Sequence, residues 1–243
     1  MPFLKFRQTP GTKKRNLFLN MNNNIIFIEL LNQADLLPVE KINKIKALIE
    51  IFQEIDQKVL TFKKYTGFQC LSGCSACCQN TFVTASPLEM FPLALYLYQQ
   101  ETLEQWIDRG VAAQHHEQSS CIFYSKPTLP EKEGCSIYPF RPLVCRLFGF
   151  TARENKNQKY ELMICHKIKK KYAKAYHKAL VINNPKNRRA PVSSNYVMKT
   201  YGISPQLAGN TIDINLAFLK AAETIGYDRS LFNLNKKGAA TIY

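Results

Sequence analysis

Apolar residues recur at three- and four-residue steps through Ile42, Ile45, Leu48, Ile49, Phe52, Ile55, Val59 and Phe62. That spacing draws one stripe along an amphipathic helix over roughly 38–65, with Pro38 near its first turn. Further on, Ser86-Pro87-Leu88-Glu89 has the form of a capping box with proline at the first helical position. It predicts helical structure running toward Gln118, bent or broken at Pro92 and Gly110. Residues 121–124 read as a short strand, and 125–134 as a loop holding Pro127, Pro130 and Gly134. Pro142 is placed to start a short helix carrying Cys145 and Phe148. Residues 160–164 read as another strand, and Cys165-His166 open a basic helix over about 166–182. The stretch 183–191, rich in Asn, Pro and Arg, reads as a linker. Asp213 is a cap for a final amphipathic helix with Ile214, Ala217, Phe218 and Ala221 on one face. The chain has no internal repeat. The expected fold is mainly α with small irregular or β pieces, a cysteine-cluster domain stapled by metal. A leader over 1–37, disordered at 1–20, precedes a helical metal-binding domain over 38–182, and a linker with a C-terminal helical extension fills 183–243.

With 243 residues, 46% of them hydrophobic, the chain can bury a sizeable core. The run 25–31 resembles the apolar centre of an export signal, but Glu29 interrupts it and no small-residue cleavage site follows. Met21 fits as a second start codon, which makes the preceding residues a leader. No run approaches the ~20 apolar residues of a membrane span. The expected compartment is therefore the cytoplasm, where thiols stay reduced.

This changes how the eight cysteines read. Cys70, Cys74, Cys77 and Cys78 fall within nine residues; Cys121, Cys135, Cys145 and Cys165 follow, and the last 78 residues have none. Clustered thiols in a reducing compartment point to metal rather than disulfides. Ligands must converge on a sphere about 4 Å across, which favours thiolates three or four residues apart. On a helical path the first four would lie within an arc of roughly 100°, and Gly73 permits a tight turn around an ion. Adjacent Cys77 and Cys78 are awkward partners for one tetrahedral ion, so one of them reaches a second metal or a bridged cluster. Two four-thiolate sites and one polynuclear site both satisfy the count. Cys135 and Cys145 are ten residues apart across a proline-stiffened turn. Four thiolates on a divalent ion leave net negative charge, and Arg141 and Arg146 are placed to offset it. Thiolates suit zinc, iron and iron–sulfur clusters alike.

At these residues the sequence resembles the YkgJ-type cysteine-cluster proteins, a zinc- or iron-chelating family whose hallmark is CxxCxxCC followed by Cys-x-Ile-Tyr-x-x-Arg-Pro-x-x-Cys-Arg. The second part is present from Cys135 to Arg146 and the first at Cys74-Ser-Ala-Cys77-Cys78, with Cys70 one residue further upstream than the pattern. Cys121 and Cys165 match the intervening and trailing cysteines more loosely. The resemblance covers about 65–170 and implies metal chelation without a particular reaction. Some relatives are associated with methylation of flagellin lysines, which implies methyl transfer as an alternative. Cys70-x3-Cys74-x2-Cys77 is also similar to the cluster-binding spacing of radical S-adenosylmethionine enzymes. Those enzymes place it after an early barrel strand, whereas here a long helix precedes it, no alternation of strands and helices follows, and Cys78 is surplus.

Lys plus Arg number 33 against 18 Asp plus Glu, a net charge of +15. The excess is concentrated in 153–189, where twelve basic residues face only Glu154 and Glu161. Lys167, Lys170, Lys171, Lys174 and Lys178 share one helix with Tyr172 and Tyr176. Such a face suits phosphate backbones with bases stacked on the tyrosines, or an acidic protein; a solvated lysine face with inward tyrosines is the plainer expectation. His115-His116 read as solvated residues and His166 as a spare ligand. No nucleophile motif, phosphate-binding glycine loop or carboxylate pair is present. The chemistry expected is metal binding, of zinc or of iron and iron–sulfur, in metal handling or electron transfer. The alternatives are a nucleic-acid-associated protein with structural zinc and an iron–sulfur-dependent modifying enzyme.

Overall fold

The computed structural model describes residues 23–32, 37–71, 74–80, 83–114, 120–125, 134–157, 159–182 and 190–239, with side chains for all but 23, 24, 182 and 227–239. The leader 1–20, Met21, Gly73, His115, His116 and the linker residues 183–189 lie outside them.

The long periodic stripe forms α2 (Val39–Thr66), preceded by α1 (Asn23–Asn32). Ile45, Leu48, Ile49, Phe52, Ile55, Val59 and Phe62 of the stripe are buried, together with Ile26, Phe27 and Leu30 of α1. At its end, Gly67 adopts φ 74° and donates its N–H to the Lys63 carbonyl, a left-handed cap that glycine takes without penalty. The turn drops Phe68 into the core edge-on to Phe62, with ring centres 5.9 Å apart, and carries the chain out to Cys70.

The capping box forms as expected. Ser86 caps α3 (Pro87–Gln99), and Glu89 returns a carboxylate oxygen to the Ser86 N–H at 3.0 Å. Nearly every side chain of α3 is buried, which makes it the central helix. Pro92 and Gly110 do not break it. Pro92 sits inside α3, and Gly110 inside α4 (Leu103–Gln114); the break falls at 100–102, where Glu101 has φ 56°. A Cβ on Gly110 would stand 2.8 Å from Leu219 Cδ2, so this glycine serves close helix packing.

Three two-stranded antiparallel sheets decorate the helices. β1 (Thr84–Ala85) pairs with β6 (Ile212–Asp213), β2 (Tyr124–Ser125) with β3 (Gly134–Cys135), and β4 (Thr151–Glu154) with β5 (Tyr160–Met163). The first strand is shorter than 121–124 implied, because residues 122 and 123 form a turn closed by Tyr124 N–H on the Cys121 carbonyl. A 3-10 turn over Tyr138–Phe140 leads to α5 (Leu143–Leu147).

The basic helix is two, α6 (His166–Lys171) and α7 (Ala173–Ile182), parted at Tyr172. Tyr172 and Tyr176 pack against the core, Tyr172 with its ring 6.2 Å from Phe68; Lys169 and Lys171 lie over these rings. The tyrosines thus follow the inward alternative. After α8 (Ser193–Ile203) and α9 (Pro205–Ala208), Asp213 accepts from the N–H groups of Asn215 and Leu216 and opens α10 (Ile214–Ala239). Ala217, Phe218, Ala221 and Ala222 bury the α10 face that lies against α3 and α4. Such small residues let helix backbones approach closely.

Candidate metal centre

Five separate stretches of chain deliver the thiols. Cys70 follows the Gly67 cap, and Cys74, Cys77 and Cys78 sit on the turn after it, where Cys78 N–H bonds the Ser75 carbonyl at 2.8 Å. Cys121 precedes β2 and Cys135 closes β3, so their hairpin fixes both: Cys135 pairs with Tyr124, and Ser136 donates through its N–H and its Oγ to the Phe123 carbonyl at 2.9 Å each. Cys145 rides on α5, and Cys165 stands at the N-cap of α6. All eight are free thiols.

They are electrostatic neighbours. Cys78 donates its S–H to Cys77, which lowers the Cys77 pKa and raises that of Cys78. Burial pushes the Cys145 thiol up to about 12, against the pull of Arg141 and with Cys135 and Cys77 adding to the rise. Burial likewise raises Cys135 and Cys121, with Cys135 adding to the rise at Cys121 and Cys77 to the rise at Cys135. Cys70 is exposed as a residue; what solvent its thiol loses raises its pKa, as do Cys74, Cys77 and Cys165, while Lys63 pulls it down. Lys167 Nζ stands 3.8 Å from Cys74 Sγ.

Burial and neighbouring sulfurs oppose ionisation of Cys70, Cys78, Cys121, Cys135 and Cys145, and a cation among them would remove that resistance. The donor set therefore fits zinc or iron. Among the described residues, no group of three or more His, Cys, Asp or Glu side chains is held in a ready-made coordinating arrangement; the fit rests on donor chemistry and adjacency. His166 is exposed at the start of α6.

The two arginines part company. Arg141 lies among the thiols: it donates to the carbonyls of Tyr138 and Cys145 at 3.2 Å each, stacks 3.6 Å over the Tyr138 ring, and lowers the pKa values of Cys77, Cys135 and Cys145. Arg146 is instead an anchor for the fold. It is buried, paired with Asp56 of α2 at 2.5 Å, and donates to the carbonyls of Arg141 and Pro139. It acts on the centre by holding the 139–141 turn, and reaches Cys135 only through a weak electrostatic pull.

Three further supports lie outside the cysteine motifs. Glu89, already engaged in the capping box, accepts Leu143 N–H at 2.7 Å and so fixes the start of the Cys145 helix. Asn215 of α10 accepts Ile122 N–H at 3.0 Å and donates to the Ser120 carbonyl at 3.3 Å, clamping both sides of Cys121. Gly149 has φ 81°, and a Cβ there would meet Cys165 Cβ at 3.1 Å. Gly149→Ala is expected to cost about 1–3 kcal/mol of backbone strain, lowering the melting temperature by roughly 2–4 °C per kcal/mol. Gly202→Ala, where the backbone is ordinary and a Cβ meets open space, should melt no lower than the unmodified chain.

Residues 69–172 match the CxxCxxCC family model, described as a "putative zinc- or iron-chelating domain". The match spans the second motif, the first motif and all eight cysteines, and supports metal binding by this region. No curated protein and no solved structure matches the chain. No helix among the described residues is long and apolar enough to cross a membrane.

Proposed function

We propose that this chain, whose residues 69–172 carry the zinc- or iron-chelating domain of the CxxCxxCC family, holds its metal through Cys70, Cys74, Cys77, Cys78, Cys121, Cys135, Cys145 and Cys165 and serves in metal handling or electron transfer in a reducing compartment. The observation that carries this reading is convergence. Thiols from positions as far apart as 70 and 165 lie within reach of one another's charge, with Arg141 among them. Thiolates bind zinc, iron and iron–sulfur clusters, and the bound group would supply either a structural staple or an electron-accepting centre.

Elemental analysis and an absorption spectrum after anaerobic purification test it directly. Iron with sulfide and a broad band near ~400 nm assigns a cluster; a colourless chain with stoichiometric zinc assigns the staple. A chain carrying neither metal, and taking up neither when reconstituted, would overturn the reading.

The lysines of α6 and α7 remain for a polyanion or an acidic protein. Lys170, Lys174 and Lys178 are exposed. The inward tyrosines remove the stacking that favours single-stranded nucleic acid, so an acidic protein surface is the better match.

A further inference from the structure

We propose that the outer face of α6 and α7 is a docking site for an acidic helix of another protein, with the partner's carboxylates on a row of lysines and an apolar side chain of the partner against Val181. The inference rests on the acidic-protein reading of these lysines given above, and not on metal. The sequence supplies the row. At 100° per residue, Lys167, Lys170, Lys171, Lys174 and Lys178 fall within an arc of about 100°. Helical bonds bracket the break at Tyr172, from its own N–H to the Ile168 carbonyl at 2.9 Å and from the Tyr176 N–H to the Tyr172 carbonyl at 2.8 Å. Burial shows that the face carries across it. Ile168 and Ala179 are buried, Tyr172, Ala175 and Tyr176 pack against the core, and all five lysines are exposed.

Left to itself, the row is unfavourable. Lys167 and Lys171, Lys170 and Lys174, and Lys174 and Lys178 are like charges one helical turn apart, a spacing at which they destabilise a helix. The sequence has no acid from Leu162 to Ile182 to offset them. In α2 the same spacing is used in the opposite sense, with Lys44 paired to Glu40 at 2.5 Å. Carboxylates from outside the chain relieve the repulsion. A partner helix with an acid at every fourth residue matches the lysines turn for turn, over about 17 Å from Lys167 to Lys178.

Two features select a protein over a nucleic acid. Tyr172 and Tyr176 pack inward, so neither is left to stack on bases. Val181 falls within the arc of the lysines and is 75% exposed, an aliphatic group that a phosphate backbone leaves wet and an amphipathic helix covers. At the other end of the row, Lys167 Nζ stands 3.8 Å from Cys74 Sγ, so the docked helix reaches the cysteine turn.

The probes are a dye-labelled helical peptide, with Glu at every fourth position over three turns and Leu one turn beyond, and a single-stranded oligonucleotide of equal charge. Fluorescence anisotropy with the full-length protein reads both. The peptide should bind at low salt, more tightly than the oligonucleotide, and weaken as salt rises. Lys170→Glu with Lys174→Glu should weaken it by about tenfold or more, and the milder pair Lys170→Gln with Lys174→Gln should shift it in the same direction. Lys46→Glu with Lys220→Glu, at exposed lysines of α2 and α10, removes as much net charge as the first pair and should change binding by less than about twofold. Val181→Ser should weaken binding several-fold, a loss that persists at high salt because burial is not screened. Circular dichroism and metal content of every variant should match the unmodified chain. Equal weakening by the two charge-reversal pairs would overturn the site and reduce the effect to net charge. Tighter binding of the oligonucleotide would assign the face to nucleic acid instead, and no binding of the peptide at low salt would leave the lysines a solvated surface. A chain that takes the peptide but no metal upholds the docking face while the chelation reading fails; one that holds metal and ignores the peptide does the reverse.

Discussion

Cys135→Ser and Cys145→Ser chains are expected to retain markedly less metal than the unmodified chain and to melt far below it. The two thiols lie ten residues apart in sequence, one closing β3 and the other on α5, and Cys135 raises the pKa of Cys145. A metal bridging them would tie the hairpin to the helix. Four-thiolate zinc sites contribute apparent binding free energies of roughly 10–16 kcal/mol, and where ligands are disordered without metal this is folding energy. Here the hairpin and α5 are also held by Asn215, Glu89 and the Phe123 contacts, so part of the fold survives. A loss of about 3–5 kcal/mol is expected, a fall of roughly 6–20 °C in melting temperature for a domain of this size. Serine keeps the shape and the polarity, which confines the change to the missing thiolate. Metal content by elemental analysis and melting by circular dichroism are the measurements. Unchanged values in both variants would remove these cysteines from the ligand set.

Arg146→Leu is the second large effect, and its cause is different. The guanidinium is buried, with one arm on Asp56 and others on the Pro139 and Arg141 carbonyls, and its face lies 4.2 Å from the centre of the Phe52 ring. Removing one member of a buried pair costs about 3–5 kcal/mol. The Asp56 side chain keeps 31% of its exposure, so solvent recovers part of its charge and the lower end applies, about 3 kcal/mol. Two carbonyls also lose their donors. Arg146→Lys restores the charge but cannot span three acceptors at once, and should recover less than half of the loss. Denaturant melts of the three proteins measure this. If Arg146→Lys melted like the unmodified chain but held less metal, the guanidinium would be serving the thiolates and not the fold.

The contrast between Arg141 and Arg146 shows what a sequence discloses. Both follow the same motif at five residues' distance, and both read as partners for a thiolate site. Only folding decides that one points into the cysteines and the other toward α2, because Asp56 lies 90 residues upstream. Local signals were legible for the same reason that long-range ones were not. The stripe of α2, the Ser86–Glu89 box and the Asp213 cap are each written within a few neighbouring residues. The break at Tyr172 has no glycine or proline to announce it; it comes with the ring of Tyr172 against Phe68. Gly110 reads as a breaker until Leu219 of α10 stands against it. The eight cysteines were visible as a group, and the family resemblance pointed to chelation, but which thiols neighbour which follows from the hairpin and the α5 and α6 placements. Asn215 had no signal at all and Glu89 only that of its capping box, since a buried amide or carboxylate clamping a distant backbone looks like any other polar residue.

The Asn215 clamp sets an order of events during synthesis. The chain leaves the ribosome with its cysteines first and Asn215 about a hundred residues later than Cys121, so at ~5–20 residues per second the interval is on the order of 5–20 s. Through that interval the backbone on both sides of Cys121 lacks the hydrogen bonds that finally hold it. A nascent chain in this window presents Cys121, and in turn Cys135, Cys145 and Cys165, without that clamp. The proposed site around Cys121 would therefore reach its final form only once α10 has docked.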